Sequence, residues 1–184
     1  MVWHWPAGWS SGDRRRLHRG ECVLRVRKRI SREPSDPAPL VIVTSGTEAQ
    51  HSAYLRTEVS IVLPEARWVN AGEAIRLLGV RVHVLTAWNP GEERPGAPMN
   101  RERNRRLRER LDDVDADRVF PAIGASPDGH HFEESFAVTG LDRPTALALG
   151  REFGQVAIFE LTQTDQIVVG CDGDWELSRS HVPA

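Results

Sequence analysis

The run RVFPAIGASPDGHHFEESFAV, Arg118 to Val138, decides the architecture. Two segments rich in β-branched and aromatic residues, RVFPAIG and HFEESFAV, flank SPDG, whose proline and Asp-Gly pair supply the backbone angles of a reversal. Working outward, MNRERNRRLRERL after Pro98 reads as a helix, with Arg105 and Glu109 at a supporting i,i+4 spacing. Before it lie the strand VRVHVLT, the short helix AGEAIRLLG stopped by Gly79, and the strand VSIVLP ended by Pro64. After the hairpin, Asp142 and Pro144 start a third helix running through Leu147 to Phe153, with Gly154 as its C′ residue. QVAIFEL and IVVGC, separated by TQTDQ, form a terminal hairpin. The predicted order is βαβαββαββ, with no internal repeat. Hairpins clustered between helices favour an α+β fold: about three helices on one side of a mainly antiparallel or mixed sheet.

The 184 residues suit one domain with a tail. Met1 to about Pro39 is rich in tryptophan, glycine and arginine and passes into the proline-rich SREPSDPAP, so residues 1–50 are expected to be a disordered tail and 51–184 a single domain. LVIV, Leu40 to Val43, is followed by TSGT without the lysine and helix of a phosphate loop, and reads as linker. The net charge of -2 hides an asymmetry: residues 1–36 carry nine basic and four acidic side chains, leaving 15 against 22 in the remainder. An acidic body argues against broad nucleic-acid binding, which starts from a positive field around the phosphates. Only the head, with Arg14–Arg16, Arg25, Arg27–Arg29 and the interleaved Trp3, Trp5 and Trp9, has the composition for single strands. Cys22 and Cys171 lie far apart, which predicts a reduced, cytoplasmic setting. No apolar run approaches the ~20 residues of a membrane span.

TAWNPG, Thr86 to Gly91, ends a strand. The residue before Pro90 is expected to be extended, and Pro90-Gly91 suits a type II turn. The apolar stripe of the next helix is Leu107, Leu111 and Val114, and its spacing continued backwards reaches Asn104 and Asn100. Two amides therefore prolong a buried face. They either hold backbone groups of the Asn89 turn or line a polar pocket at the helix N-terminus, because a buried amide without partners costs roughly 1–3 kcal/mol. In FEESFAV, Glu134, Phe136 and Val138 share one strand face while Glu133, Ser135 and Ala137 share the other. A carboxylate at Glu134 needs an arginine or the amide pair as partner and is the candidate acid/base; exposed edge-strand charge is its alternative. Gln155 is either a ligand donor or a cap on helix-end carbonyls. His130, His131, Glu133 and Glu134 have no specific metal spacing, HFE lacks the PCxxC partner of zinc deaminases, and no G-x-S-x-G surrounds Ser126 or Ser135. No metal site is expected and no cofactor is indicated.

With TAWNPG, the Asn100/Asn104 helix, EESFAV and REFGQVAIFE assembled, the body from about Tyr54 to Cys171 resembles bacterial domain-of-unknown-function family 3293. The resemblance implies one bacterial domain and names no reaction, and the arginine-rich head lies outside the family pattern. Function must therefore come from the site. The leading expectation is a domain that binds a small polar or phosphorylated metabolite, with or without catalysis. Trp88 would wall the pocket, Asn89, Asn100, Asn104 and Gln155 would orient the ligand, and Glu134 would move protons. The alternatives are a non-catalytic protein-interaction module and nucleic-acid contact through the basic tail.

Overall fold

The computed structural model describes residues 48–91 and 93–181. The expected tail up to residue 47, with its arginine and tryptophan cluster, LVIV and Cys22, lies outside the described residues. The elements are α1 (Glu48–Arg56), β1 (Glu58–Leu63), β2 (Arg67–Asn70), α2 (Ala71–Leu78), β3 (Val82–Leu85), α3 (Ala97–Asp113), β4 (Arg118–Ala125), β5 (Phe132–Thr139), α4 (Arg143–Glu152), β6 (Ala157–Leu161), β7 (Asp165–Gly170) and β8 (Glu176–Ser180). A single 3₁₀ turn, Pro64–Ala66, joins β1 to β2. All eight strands form one antiparallel sheet in the order β2-β1-β4-β5-β3-β6-β7-β8.

The fold is α+β and antiparallel, as the hairpins predict, but with four helices and a longer order than βαβαββαββ. The additions are α1, β2 and β8, each with too few apolar residues to show a period. In α1 only Leu55 is a buried hydrophobe, β2 has four residues, and β8 buries Leu177 alone.

The helices also flank both faces of the sheet, where one was expected. Strand parity shows why. Val82 and Val84 of β3 join Ile61, Ala122 and Ala137 under Ala74 and Ile75 of α2. Leu85, one residue on and therefore on the opposite face, joins Val138, Ile158, Leu107 and Leu111 of α3, and Leu147 and Leu149 of α4. Helix α1 covers Val168 and Leu177 through Leu55, on the α2 side. Strand β3 is consequently buried along its whole length.

Local chemistry fixes the element ends. Asn70 accepts from the Glu73 N–H at the start of α2, and Asp142 accepts from the Thr145 N–H at the start of α4, each satisfying a helix-end donor. Pro121 sits inside β4 just beyond the end of the β1–β4 pairing, whose last pair is Ile61 with Ala122.

His83 is the buried polar residue of β3. Its Nε2 lies 3.2 Å from Glu160 Oε2, and Arg143 grips both oxygens of Glu160 through Nε (2.8 Å) and a second guanidinium nitrogen (2.9 Å) while also reaching Glu176 (3.0 Å). Burial alone pushes the Glu160 carboxyl up, but the bonds from His83 and Arg143 and the arginine charges outweigh it and hold the group at about 2. This network ties the first residue of α4 to the sheet.

Among the described residues no helix is long and apolar enough to cross a membrane.

Candidate functional site

The end of β3 runs out between the start of β5 and the start of β6, because β3 pairs with both strands. TAWNPG emerges there, and α3 lies alongside it.

Every expected amide meets this turn. Asn104, 5% exposed, accepts the Ala87 N–H (2.8 Å) and donates to the Glu134 carbonyl (2.7 Å), so one side chain bridges β3 and β5 where they diverge. The Thr86 hydroxyl donates to the same carbonyl (2.7 Å) and accepts from the Trp88 N–H (3.0 Å). Asn100, 1% exposed, accepts the Asn89 N–H (3.1 Å) and donates to Asn89 Oδ1 (3.1 Å) and to the Pro95 carbonyl (3.0 Å). Gln155 donates to the Trp88 carbonyl (2.9 Å) and not to a helix-end carbonyl. Arg103 links the Ala87 carbonyl (2.9 Å) to that of Phe153 (2.7 Å), and the Gly91 N–H meets the Gly154 carbonyl (2.8 Å). Trp88 is buried beneath the turn. Asn100 and Asn104 thus hold backbone, the first of the two roles their position allows.

The clamp forces one departure from expectation. Asn89, the residue before proline, has φ +46° and is left-handed instead of extended. Asparagine tolerates that region better than other non-glycine residues, and the reciprocal pair with Asn100 holds it there. Strain of this kind costs of order 1–3 kcal/mol and persists where the surroundings over-determine it.

With Asn89 Oδ1 committed to Asn100, its Nδ2 points outward and donates to Glu133 Oε1 (2.9 Å). The same oxygen lies 3.2 Å from His131 Nε2. Asn100, Asn89, Glu133 and His131 therefore form one row from the buried face of α3 to an imidazole whose side chain is 56% exposed. The bond to Glu133 raises the His131 pKa against the opposing effects of burial and of Arg94. For Tyr54 of α1, burial first, then the charges of Glu133 and Cys171, raise the phenol pKa, and Arg94 lowers it.

Sequence parity put Glu134 with the apolar face, and it is buried there. Its carboxylate meets Arg101 at 3.5 Å, while its carbonyl is the hub for Thr86 and Asn104. The carboxylate that reaches Asn89 is that of Glu133. Sequence reading set His131 beside Glu133 only as a metal motif. Their i,i+2 spacing on an extended segment, which puts both side chains on one face, is the signal that pairs them. A recess of about 440 Å³ opens along the C-terminal half of α3, lined by Arg103, Arg106, Arg110, Glu109, Asp113 and Glu152. Its charges satisfy one another or the backbone, as in Arg110 with Glu152 (3.1 Å) and Asp113 (3.8 Å).

Residues 85–158 match the model of a family described as "Protein of unknown function (DUF3293)". No curated protein and no solved structure matches the chain.

Proposed function

We propose, from the premise that over residues 85–158 the chain belongs to DUF3293, that this domain binds a small polar ligand at the rim where TAWNPG meets β5. The observation that carries this reading is the row Asn100–Asn89–Glu133–His131, in which a strained asparagine, locked from behind by a buried amide, holds a carboxylate that in turn holds a half-exposed imidazole. Groups oriented in succession toward solvent are the arrangement by which proteins preorganise a polar contact. Asn104, Trp88 and Gln155 support the turn, and Asn89, Glu133 and His131 face the ligand. Glu134 stands on the other strand face, in reach of Arg101. Proton transfer at the rim falls to His131 and Glu133, the ionisable side chains of the row.

The test is a thermal-shift screen of the full chain against small polar and phosphorylated metabolites. A compound present at 100 times its dissociation constant stabilises by about 2.7 kcal/mol. The expected result is a saturable shift that His131→Asn and Glu133→Ala abolish while both variants keep the wild-type circular dichroism spectrum. Stabilisation that survives both substitutions would remove the ligand from this rim.

One observation favours a protein partner instead: Met99 and Phe132, beside Asn100 and Glu133 in sequence, are 62% and 44% exposed. Under that reading Phe132→Ser abolishes pulled-down partners and the metabolite screen stays silent.

A further inference from the structure

We propose that Asn100 is a positioning residue for His131: acting through Asn89, it holds Glu133 as an acceptor against Nε2 of the imidazole and so fixes which tautomer the neutral ring adopts. Nδ1 is then the nitrogen whose lone pair is free at the rim. The ligand class that follows, a molecule bringing an O–H or N–H donor to Nδ1, rests on the reading that a small polar ligand binds there.

The direction of the row is set at its buried end. The Asn100 carboxamide meets a backbone donor on one side, the Asn89 N–H (3.1 Å), and a backbone acceptor on the other, the Pro95 carbonyl (3.0 Å). Neither backbone group can exchange roles, so the Asn100 oxygen faces the first and its nitrogen the second. That nitrogen also donates to the side chain of Asn89 at 3.1 Å. The Asn89 atom there is therefore Oδ1, and the atom left to face Glu133 is Nδ2, which donates to Glu133 Oε1 at 2.9 Å. His131 Nε2 lies 3.2 Å from the same oxygen. A ring nitrogen facing an acceptor holds its hydrogen, which leaves Nδ1 without one in the neutral ring.

Each end of the row is anchored by backbone. Asn100 is 1% exposed, so it acts on the rim only through its neighbours. Were Asn89 turned over, its oxygen would face the carboxylate and push Glu133 away from the imidazole; the bond from Asn100 prevents that. At the other end, the His131 N–H donates to Ser126 Oγ (3.1 Å) and its carbonyl accepts the Ser126 N–H (2.9 Å), which places the ring at the close of the β4–β5 turn. Nδ1 has no hydrogen-bond partner among the described residues and belongs to a side chain that is 56% exposed. The row thus spends every other donor and acceptor on itself and leaves one acceptor for a ligand.

The experiment labels the histidines of the full chain with nitrogen-15 and reads the tautomer of His131 from the couplings between ring protons and ring nitrogens, above the end of its titration. The wild type is expected to show the Nε2–H form. Glu133→Gln is the discriminating background, because a carboxamide can turn either its oxygen or its nitrogen to the imidazole. With Asn100 and Asn89 in place its oxygen must meet Asn89 Nδ2, and the Nε2–H form persists. Adding Asn100→Ala removes the lock on Asn89 and gives a mixture of tautomers. Adding Asn89→Gly instead, which suits the left-handed backbone at that position and leaves the buried face of α3 intact, cuts the row one member later and gives the same mixture. A mixture in Glu133→Gln alone, or the Nε2–H form persisting unchanged in either double variant, overturns the proposal. The tautomer is read without ligand, so that failure leaves the rim site standing. A metabolite from the thermal-shift screen that binds without moving the His131 Nδ1 signal removes the donor assignment, and a screen silent throughout removes the site reading and leaves the row in place.

Discussion

At the scale of single residues, Asn104 and Leu111 occupy the same stripe of α3 and do different work. Leu111 is fully buried among Leu107, Val138 and the α4 leucines, so Leu111→Ala should cost roughly 2–5 kcal/mol through lost burial and a residual cavity. Asn104→Leu keeps the volume but strands the Ala87 N–H and one acceptor direction of the Glu134 carbonyl, at about 1–3 kcal/mol. Urea midpoints of the two variants measure both costs, and a wild-type midpoint for Asn104→Leu would show that the clamp contributes nothing. His131 makes a prediction in pH. Its folded pKa is raised above the ordinary value near 6.5, so its contribution is fully present below about pH 6.5 and is lost as pH rises through the folded value. Urea midpoints across that window should fall with rising pH in the wild type and be flatter in His131→Asn. The stripe was legible because three apolar residues fix the period. The role of its amides was not, since their partners Ala87 and Glu134 lie on strands that only the tertiary fold brings alongside α3.

At the scale of elements, the β3–α3 turn and the α4–β6 turn are built against each other. Gly154 is left-handed (φ +72°), and a Cβ there would stand 3.1 Å from Pro90 Cβ. Gly154→Ala therefore meets an unfavourable backbone region and a neighbour that must give, and should destabilise by about 1 kcal/mol or more. Because the Gly91 N–H bonds to the Gly154 carbonyl, the same substitution should broaden the Asn89 amide signal in an NMR spectrum; a sharp, unshifted signal would separate the two turns. Elements with a strong period and good caps were readable: β3, α3, the β4–β5 hairpin, and α4 with Asp142 at its start. The face each helix covers was harder. VRVHVLT looks half-buried because an arginine and a histidine alternate with its hydrophobes, yet Val82 to Leu85 are all buried. His83 can be inside because Glu160, 77 residues on, meets it there. A strand covered on both sides is what demands helices on both sides.

At the scale of the whole molecule, the buried charges set the acid limit of the fold. Glu160 has a folded pKa held at about 2, well below the ordinary carboxylate range. Its contribution is present above the unfolded pKa of about 4.3 and is lost as pH falls toward the folded value. Arg143→Met leaves that carboxylate buried with His83 and the more distant Arg81, which is mostly exposed. The loss should lie toward the lower end of about 3–5 kcal/mol, since Arg143 itself is partly solvated. The acid-unfolding midpoint, followed by circular dichroism, should move to higher pH; an unchanged midpoint would mean that His83 suffices. The position of β3 at the centre of the sheet has a consequence for biosynthesis. Its neighbours β5 and β6 begin at Phe132 and Ala157, so when Val82–Leu85 leave the ribosome neither edge has a partner and the face that α3 and α4 later cover is bare. At ordinary synthesis rates of about 5–20 residues per second the stretch up to Leu161 takes several seconds or more, and during them the nascent chain is an aggregation-prone client of chaperones. Ribosome stalling before Leu161 is the point at which this protein is most exposed to loss.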